Sequence, residues 1–271
     1  MEELLLDCVE VEEKLIRFIK KKLSKAGFSR VVLGISGGVD SATAAYLSVK
    51  ALGSERVFGA MMPYKTSSKE AIADARCVIK DLGIKGEMVD ITSMIDSYFE
   101  EYQSEADNIR RGNKMARERM SILYDLSKKY DALVLGSSNK TELLLGYGTI
   151  YGDIACALNP LGDLYKTQVR QLASHLRVPQ RIVDKVPTAD LWPGQTDEGE
   201  LGYSYAELDR LLFHLIEEGN DLDSLRRLGF SDSFILDVVN RLRRHRFKVH
   251  PPEIAVLTDH PVFGEIKLPD I

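Results

Sequence analysis

The sequence predicts an α/β protein built on a parallel sheet, with a helical extension at its C-terminal end. Three observations lead there. Short strand-like segments recur at residues 31–35, 56–61, 86–91 and 132–136. Amphipathic segments of helical length separate them, and strands alternating with helices of ten or more residues call for parallel pairing with right-handed crossovers. Residues 204–247 are helical in pattern throughout.

Residues 3–25 carry Leu4, Cys8, Val11, Leu15 and Phe18 at four-three spacing, which predicts one long helix; Lys20-Lys21-Lys22 suits its C-terminal dipole and Gly27 follows it. Val31 to Ile35 is a short, continuous apolar run, the pattern of a buried strand. It gives way to Ser36-Gly37-Gly38-Val39-Asp40-Ser41, and Ala42 to Leu47 then has strong helix formers. After the second strand, Ser67-Ser68-Lys69-Glu70 has capping-box spacing and opens a helix to Leu82, stopped by Gly83. Thr92 starts a helix to Tyr102, and a basic helix spans residues 108–129.

Beyond the fourth strand the pattern changes. Residues 146–162 are irregular, and 165–176 form a short helix with Lys166 in its first turn. Residues 187–201 read as a long loop rich in Pro, Gly and acids, a length that signals function inside a compact domain. Helices follow over 204–218, 221–229 and 231–247, and the tail holds Pro251, Pro252, Pro261 and Pro269. The expected organisation is a single domain over 1–271, with an α/β body to about 186 and a loop and helical extension over 187–271.

Composition excludes several classes. A net charge of −5 argues against non-specific grip on nucleic acid. No apolar run approaches the roughly 18 residues of a membrane span. The acidic start Met1-Glu2-Glu3-Leu4-Leu5-Leu6-Asp7 is not a secretory signal, and a cytoplasmic location is expected. Cys8, Cys77 and Cys156 fit neither a disulfide framework nor a zinc site and read as buried thiols.

The chemistry centres on the loop after the first strand. Strand, Gly/Ser loop and helix start make a place for phosphate: Gly37 and Gly38 admit close backbone approach, and loop amides plus the helix N-terminus favour an anion. Ser36 and Ser41 add hydroxyls. Asp40 would repel a polyphosphate unless a cation lies between them, so it implies Mg²⁺. The ends of the other strands, at Pro63-Tyr64-Lys65 and Gly136-Ser137-Ser138-Asn139, should face the same crevice.

Other candidates each have a plain alternative. Glu142 either compensates a helix dipole or joins Asp40 on the metal. Lys166, after a Pro/Gly corner, is either solvated or a point charge for a triphosphate. Arg117 is either part of a wet helix face or a fork for a carboxylate or phosphate. Thr188 and Asp190 lie in a loop dense in donors and acids. The basic helix end at Arg243, Arg244, His245, Arg246 and Lys248 either matches a dipole or contacts phosphate from a neighbouring subunit.

The string Ser36 to Ser41 resembles the pyrophosphate loop of the N-type ATP pyrophosphatases. With Lys114 to Met120, Gly136 to Glu142, and Pro187-Thr188-Ala189-Asp190-Leu191 followed by Gln195, Asp197, Glu198, Leu201 and Gly202, the chain over about 10–255 resembles the ammonia-dependent NAD⁺ synthetases. The resemblance implies a doubly wound sheet and a homodimer. It implies ATP on Gly34, Ile35, Ser36, Gly37, Gly38, Val39, Asp40, Ser41, Ser137, Lys166 and Thr188. It also implies Mg²⁺ on Asp40 and Glu142, and the pyridine dinucleotide on Arg117 and around Asp153, with Asp40 and Lys166 catalytic. Three departures bear on the dinucleotide: Ile150 stands where the family has lysine, Ala157 where it has aspartate, and Arg246-Phe247-Lys248 replace a terminal His-Lys-Arg.

The implied reaction joins deamido-NAD⁺ and ammonia at the expense of ATP, giving NAD⁺, AMP and pyrophosphate through an adenylated carboxylate. It needs no side-chain nucleophile, and the ammonia is free or comes from a separate glutaminase. Two other readings are a tRNA-modifying pyrophosphatase, against which stand the missing Cys-x-x-Cys pair and basic surface, and a non-catalytic nucleotide sensor.

Overall fold

The computed structural model describes residues 2–250 and 252–257, so Pro251, Pro261 and Pro269 of the tail lie outside the described residues. Four parallel strands, β1 (Val31–Gly34), β2 (Val57–Met61), β3 (Lys85–Met88) and β4 (Leu133–Val134), lie in the order β3-β2-β1-β4. Val31 stands opposite both Val57 and Leu133, so β1 is paired along both edges. Leu135, just past β4, bridges in parallel to Leu158. The chain steps outward from β1 to β3 and then returns to the far side of β1. The carboxyl ends of β1 and β4 therefore flank the topological switch point, where open α/β sheets take their ligands.

The helices in chain order are α1 (Cys8–Lys25), α2 (Val39–Leu52), α3 (Lys69–Leu82), α4 (Thr92–Tyr102), α5 (Asn108–Tyr130), α6 (Lys140–Leu145), α7 (Lys166–His175), α8 (Gln180–Val183), α9 (Asp197–Leu201), α10 (Tyr205–Leu212), α11 (Leu222–Arg227) and α12 (Asp232–His245). Alternation along β1 explains the layers. Val31, Leu33 and Ile35 pack with Leu23 of α1, Leu47 of α2 and Leu172 of α7. Val32 faces the other way, with Met120, Leu123 and Leu126 of α5. Both faces are covered, which is why the strand is apolar at every position. Helix α2 is buried on nearly all sides, and its Thr43 and Ser48 hydroxyls donate to the carbonyls of Val39 and Ala44, each at 2.7 Å.

The C-terminal helices form a second core around Leu208, Leu211, Leu225, Ile235 and Val238, which also takes in Leu145 of α6 and Tyr165 at the start of α7. The extension is thus packed on the elements that carry Glu142 and Lys166.

Four local expectations are corrected. The first long helix begins at Cys8, not residue 3, because Asp7 accepts the amides of Val9 and Glu10 at 3.1 and 3.0 Å; Leu4 turns away into the second core. Helix α3 is capped by Ser68, which accepts the Ala71 amide at 3.1 Å, so no box runs from Ser67 to Glu70. The loop after residue 187 ends in α9, capped by Thr196. Cys8, Cys77 and Cys156 are free but only half-buried.

Candidate active site

The loop between β1 and α2 is held by its own serines. Ser41 Oγ accepts the Ser36 amide at 3.2 Å, and Ser36 Oγ accepts the Gly38 amide at 3.2 Å. Gly37 has φ +81°, and a Cβ there would lie 2.2 Å from the Ala71 carbonyl oxygen, so the loop passes under the first turn of α3 only as glycine. The N-cap of α2 is Gly38, which offers no side chain to the first amides of that helix. Gly38, Val39, Asp40 and Ser41 line the cleft, so the positive end of the α2 dipole lies at it, the usual arrangement for phosphate.

Across the switch point, β4 runs into α6, whose N-cap Asn139 accepts the Glu142 amide at 3.0 Å while Glu142 Oε2 accepts the Asn139 amide at 3.2 Å. This capping box fixes Glu142 at the cleft. Asn139 Nδ2 donates to Asp40 Oδ1 at 3.0 Å, which ties the two strand ends together. The Lys166 ammonium then donates to Asp40 Oδ2 at 2.5 Å and to Glu142 Oε1 at 3.2 Å. Lys166 is 3 % exposed, and its ammonium also lies 5.0 Å from the Tyr205 ring centre.

Charge and burial shape this group together. Burial alone would lower the Lys166 ammonium, but the Asp40 and Glu142 carboxylates outweigh it and hold the group above the usual lysine range. Burial pushes Glu142 up to about 7, with Lys166 opposing and the nearby Asp40 and Asp197 adding to the rise. Asp197 is itself raised by burial, and it accepts the hydroxyls of Tyr205 at 3.0 Å and Tyr147 at 3.1 Å.

The third wall is the segment before α9. Thr188 Oγ1 donates to the Gln195 carbonyl at 2.8 Å and accepts the Asp190 amide at 3.0 Å. Asp190, at φ +50°, accepts the Ser68 amide at 2.8 Å and so ties this segment to the start of α3. Lys185 enters the cleft from the same side, anchored on Asp74 at 3.1 Å.

Most residues expected at the site do line one cleft: Ser36, Gly38, Val39, Asp40, Ser41, Ser137, Glu142, Asp153, Lys166 and Thr188. Gly34, Ile35 and Gly37 do not line it; Ile35 is core and Gly37 shapes the turn. Arg117 is also outside the lining, exposed on α5 with Nε donating to the Ile150 carbonyl at 3.2 Å. Lys248 donates to the carbonyls of Gly146 and Gly148 at 2.8 and 3.0 Å. Sequence reading did not assign roles to Asn139, Tyr147, Lys185, Asp197 or Tyr205. Asn139 had a local signal, the Asn-x-x-Glu spacing of a capping box, and Asp197 lay in the acid-rich segment that follows Pro187.

Five carboxylates line the cleft, from Asp40, Glu142, Asp153, Asp190 and Asp197, against the ammoniums of Lys166 and Lys185. Such a wall repels a polyphosphate that arrives without cations. Among the described residues no three Asp, Glu, His or Cys side chains are grouped to cage a metal. Asp40 and Glu142 are hard oxygen donors that converge on one cation, and both reach the cleft. One or two carboxylates completed by water and phosphate is the donor set Mg²⁺ takes, so the residues fit that ion beside a phosphate chain.

Comparison with known proteins identifies the family and the fold. Residues 11–252 match the family model described as NAD synthase. An NH(3)-dependent NAD(+) synthetase of Fusobacterium nucleatum is 48% identical over 255 residues, covering 94% of this chain and 98% of that one. The solved NH3-dependent NAD synthetase of Campylobacter jejuni superposes with a TM-score of 0.79 at 37% identity, covering 93% of this chain and all (100%) of that one. The solved NMN synthetase of Francisella tularensis superposes at 0.82 with 30% identity, covering 94% and 100%.

Proposed function

The chain belongs to the NAD synthase family, and from that premise we propose that it is an ammonia-dependent NAD⁺ synthetase, an amide-forming ligase. It converts deamido-NAD⁺, ATP and ammonia to NAD⁺, AMP and pyrophosphate. The observation that carries the reading is the convergence of Asp40, Glu142 and Lys166 on one point beside the α2 N-terminus.

A carboxylate is a poor electrophile because its leaving group would be oxide. In the first step a nicotinate oxygen attacks the α-phosphorus of ATP, the bond to the β-phosphate oxygen breaks, and pyrophosphate leaves. The free first-turn amides of α2, with Ser36 and Ser41, are placed to hold those phosphates. Lys166 supplies a fixed, dry positive charge at the same place. Asp40 and Glu142 would hold Mg²⁺, whose charge offsets that of the phosphate oxygens. In the second step the ammonia nitrogen attacks the activated carbonyl carbon, the carbon–oxygen bond to AMP breaks, and the nitrogen gives up a proton. No side chain needs to form a bond to the substrate.

ATP lies on Ser36, Gly38, Val39, Asp40, Ser41, Ser137, Lys166 and Thr188 in this reading, with the dinucleotide around Asp153. Arg117 serves the dinucleotide in a homodimer for which the exposed apolar side chains Tyr98, Tyr102 and Ile109 of α4 and α5 are suited. Free thiols fit a reducing, cytoplasmic setting. Ammonia enters free or from a separate glutaminase.

The likeness to an NMN synthetase favours one second reading, the same chemistry on the nicotinate mononucleotide. The experiment is one assay with ATP, Mg²⁺ and ammonium, comparing deamido-NAD⁺ with the mononucleotide. AMP and NAD⁺ formed in equal amounts, with a higher kcat/KM for the dinucleotide, support the first reading. A preference for the mononucleotide replaces it with the second, and no AMP from either overturns both.

A further inference from the structure

Asp209, on α10, is completely buried at 0 % exposure. A buried carboxylate is costly unless its oxygens are used. Asp209 Oδ1 accepts the Thr141 hydroxyl at 2.5 Å, and Oδ2 accepts the Thr167 amide at 2.8 Å. Thr141 Oγ1 in turn accepts the Lys166 amide at 3.0 Å. The first two amides of α7 are therefore satisfied by side chains from α6 and α10, and the Asp209 charge lies at the positive end of α7. Thr141 also directly precedes Glu142. One hydroxyl and one carboxylate thus lock the backbone of Lys166 to the helix that carries its acidic partner.

We propose that Asp209 and Thr141 are a positioning pair for the reaction: they fix Lys166 relative to Glu142 and Asp40 without reaching the substrate. Neither side chain lines the cleft. The pair makes the C-terminal extension part of the catalytic apparatus, because α10 holds the helix start from which the ammonium reaches its two acids. A misplacement of an ångström from a residue remote from the chemistry costs about 100-fold in rate. The proposal rests on the assignment of Lys166 to ATP.

The test uses the full chain with Thr141→Val, Thr141→Ser and Asp209→Asn. Thr141→Val keeps the shape and removes the hydroxyl, so it separates positioning from gross folding, which thermal melting checks in parallel. The expected result is a fall in kcat of about 10- to 100-fold for Thr141→Val and Asp209→Asn. KM for ATP should stay within about threefold, and Thr141→Ser should restore the rate. A wild-type kcat in Thr141→Val overturns the proposal, as does a Thr141→Ser variant as slow as the valine one, or a loss confined to KM. If the unaltered protein makes no AMP, the ligase reading fails instead, a result distinct from an active enzyme indifferent to these changes.

Discussion

Asp40 and Lys166 stand 126 positions apart in the chain and meet at 2.5 Å, with the ammonium 3 % exposed and a second carboxylate, Glu142, at 3.2 Å. The ammonium holds together two acids that would otherwise repel each other beside the N-terminus of α2. In the proposed function the same charge serves both stability and chemistry.

Lys166→Met therefore loses on both counts. Removing one partner from a buried ionic group costs about 3 kcal/mol, read as a lower urea midpoint. Turnover should fall by at least about 100-fold, the scale of losing a preorganised charge-stabilising group. A variant with wild-type kcat would show that the ammonium is structural alone.

Gly37→Ala tests the loop. Gly27 and Gly37 both have positive φ, +76° and +81°, but only at Gly37 does the added Cβ meet backbone, 2.2 Å from the Ala71 oxygen. Gly27→Ala should cost about 1–2 kcal/mol for the left-handed conformation alone, with ATP binding intact. Gly37→Ala should cost more and raise KM for ATP, because α3 or the loop must shift. Equal melting temperatures and equal KM values for the two variants would contradict this.

Asp74 gives a pH-dependent prediction. Burial alone would raise its carboxyl, but hydrogen bonds from Arg181 and Lys185 outweigh it and hold the group below the usual aspartate range. A depressed carboxyl stabilises the fold above its unfolded pKa, and that contribution disappears as pH falls through the folded value. Asp74→Asn should thus be less stable than the unaltered protein at pH 7, with the gap closing as pH falls below about 4. Denaturant midpoints measured across that range check it; a gap independent of pH would mean the ion pairs contribute nothing.

The sheet is legible in the sequence because β1, β2 and β4 are buried apolar runs, and their carboxyl ends place Asp40 and Glu142 in one crevice. The N-terminal helix was overextended because Leu4 continues the periodicity of α1 while packing elsewhere. Lys166 was found by its neighbours in sequence, but its pairing with two acids was not, since no local pattern records a contact across 126 positions. Asp209 was invisible for a related reason. A lone acid in an amphipathic helix resembles a solvated residue until the amide and hydroxyl it satisfies, from α7 and α6, are seen.

The most direct test of the central claim is a Mg²⁺ titration of AMP formation in the unaltered protein, Asp40→Asn, Glu142→Gln and the double variant. If both acids hold one ion, each single change raises the half-saturating Mg²⁺ by about tenfold or more, and the double change by far less than the product. A multiplicative double variant, or a single change that leaves the midpoint where it was, would contradict the claim that Asp40 and Glu142 share the ion.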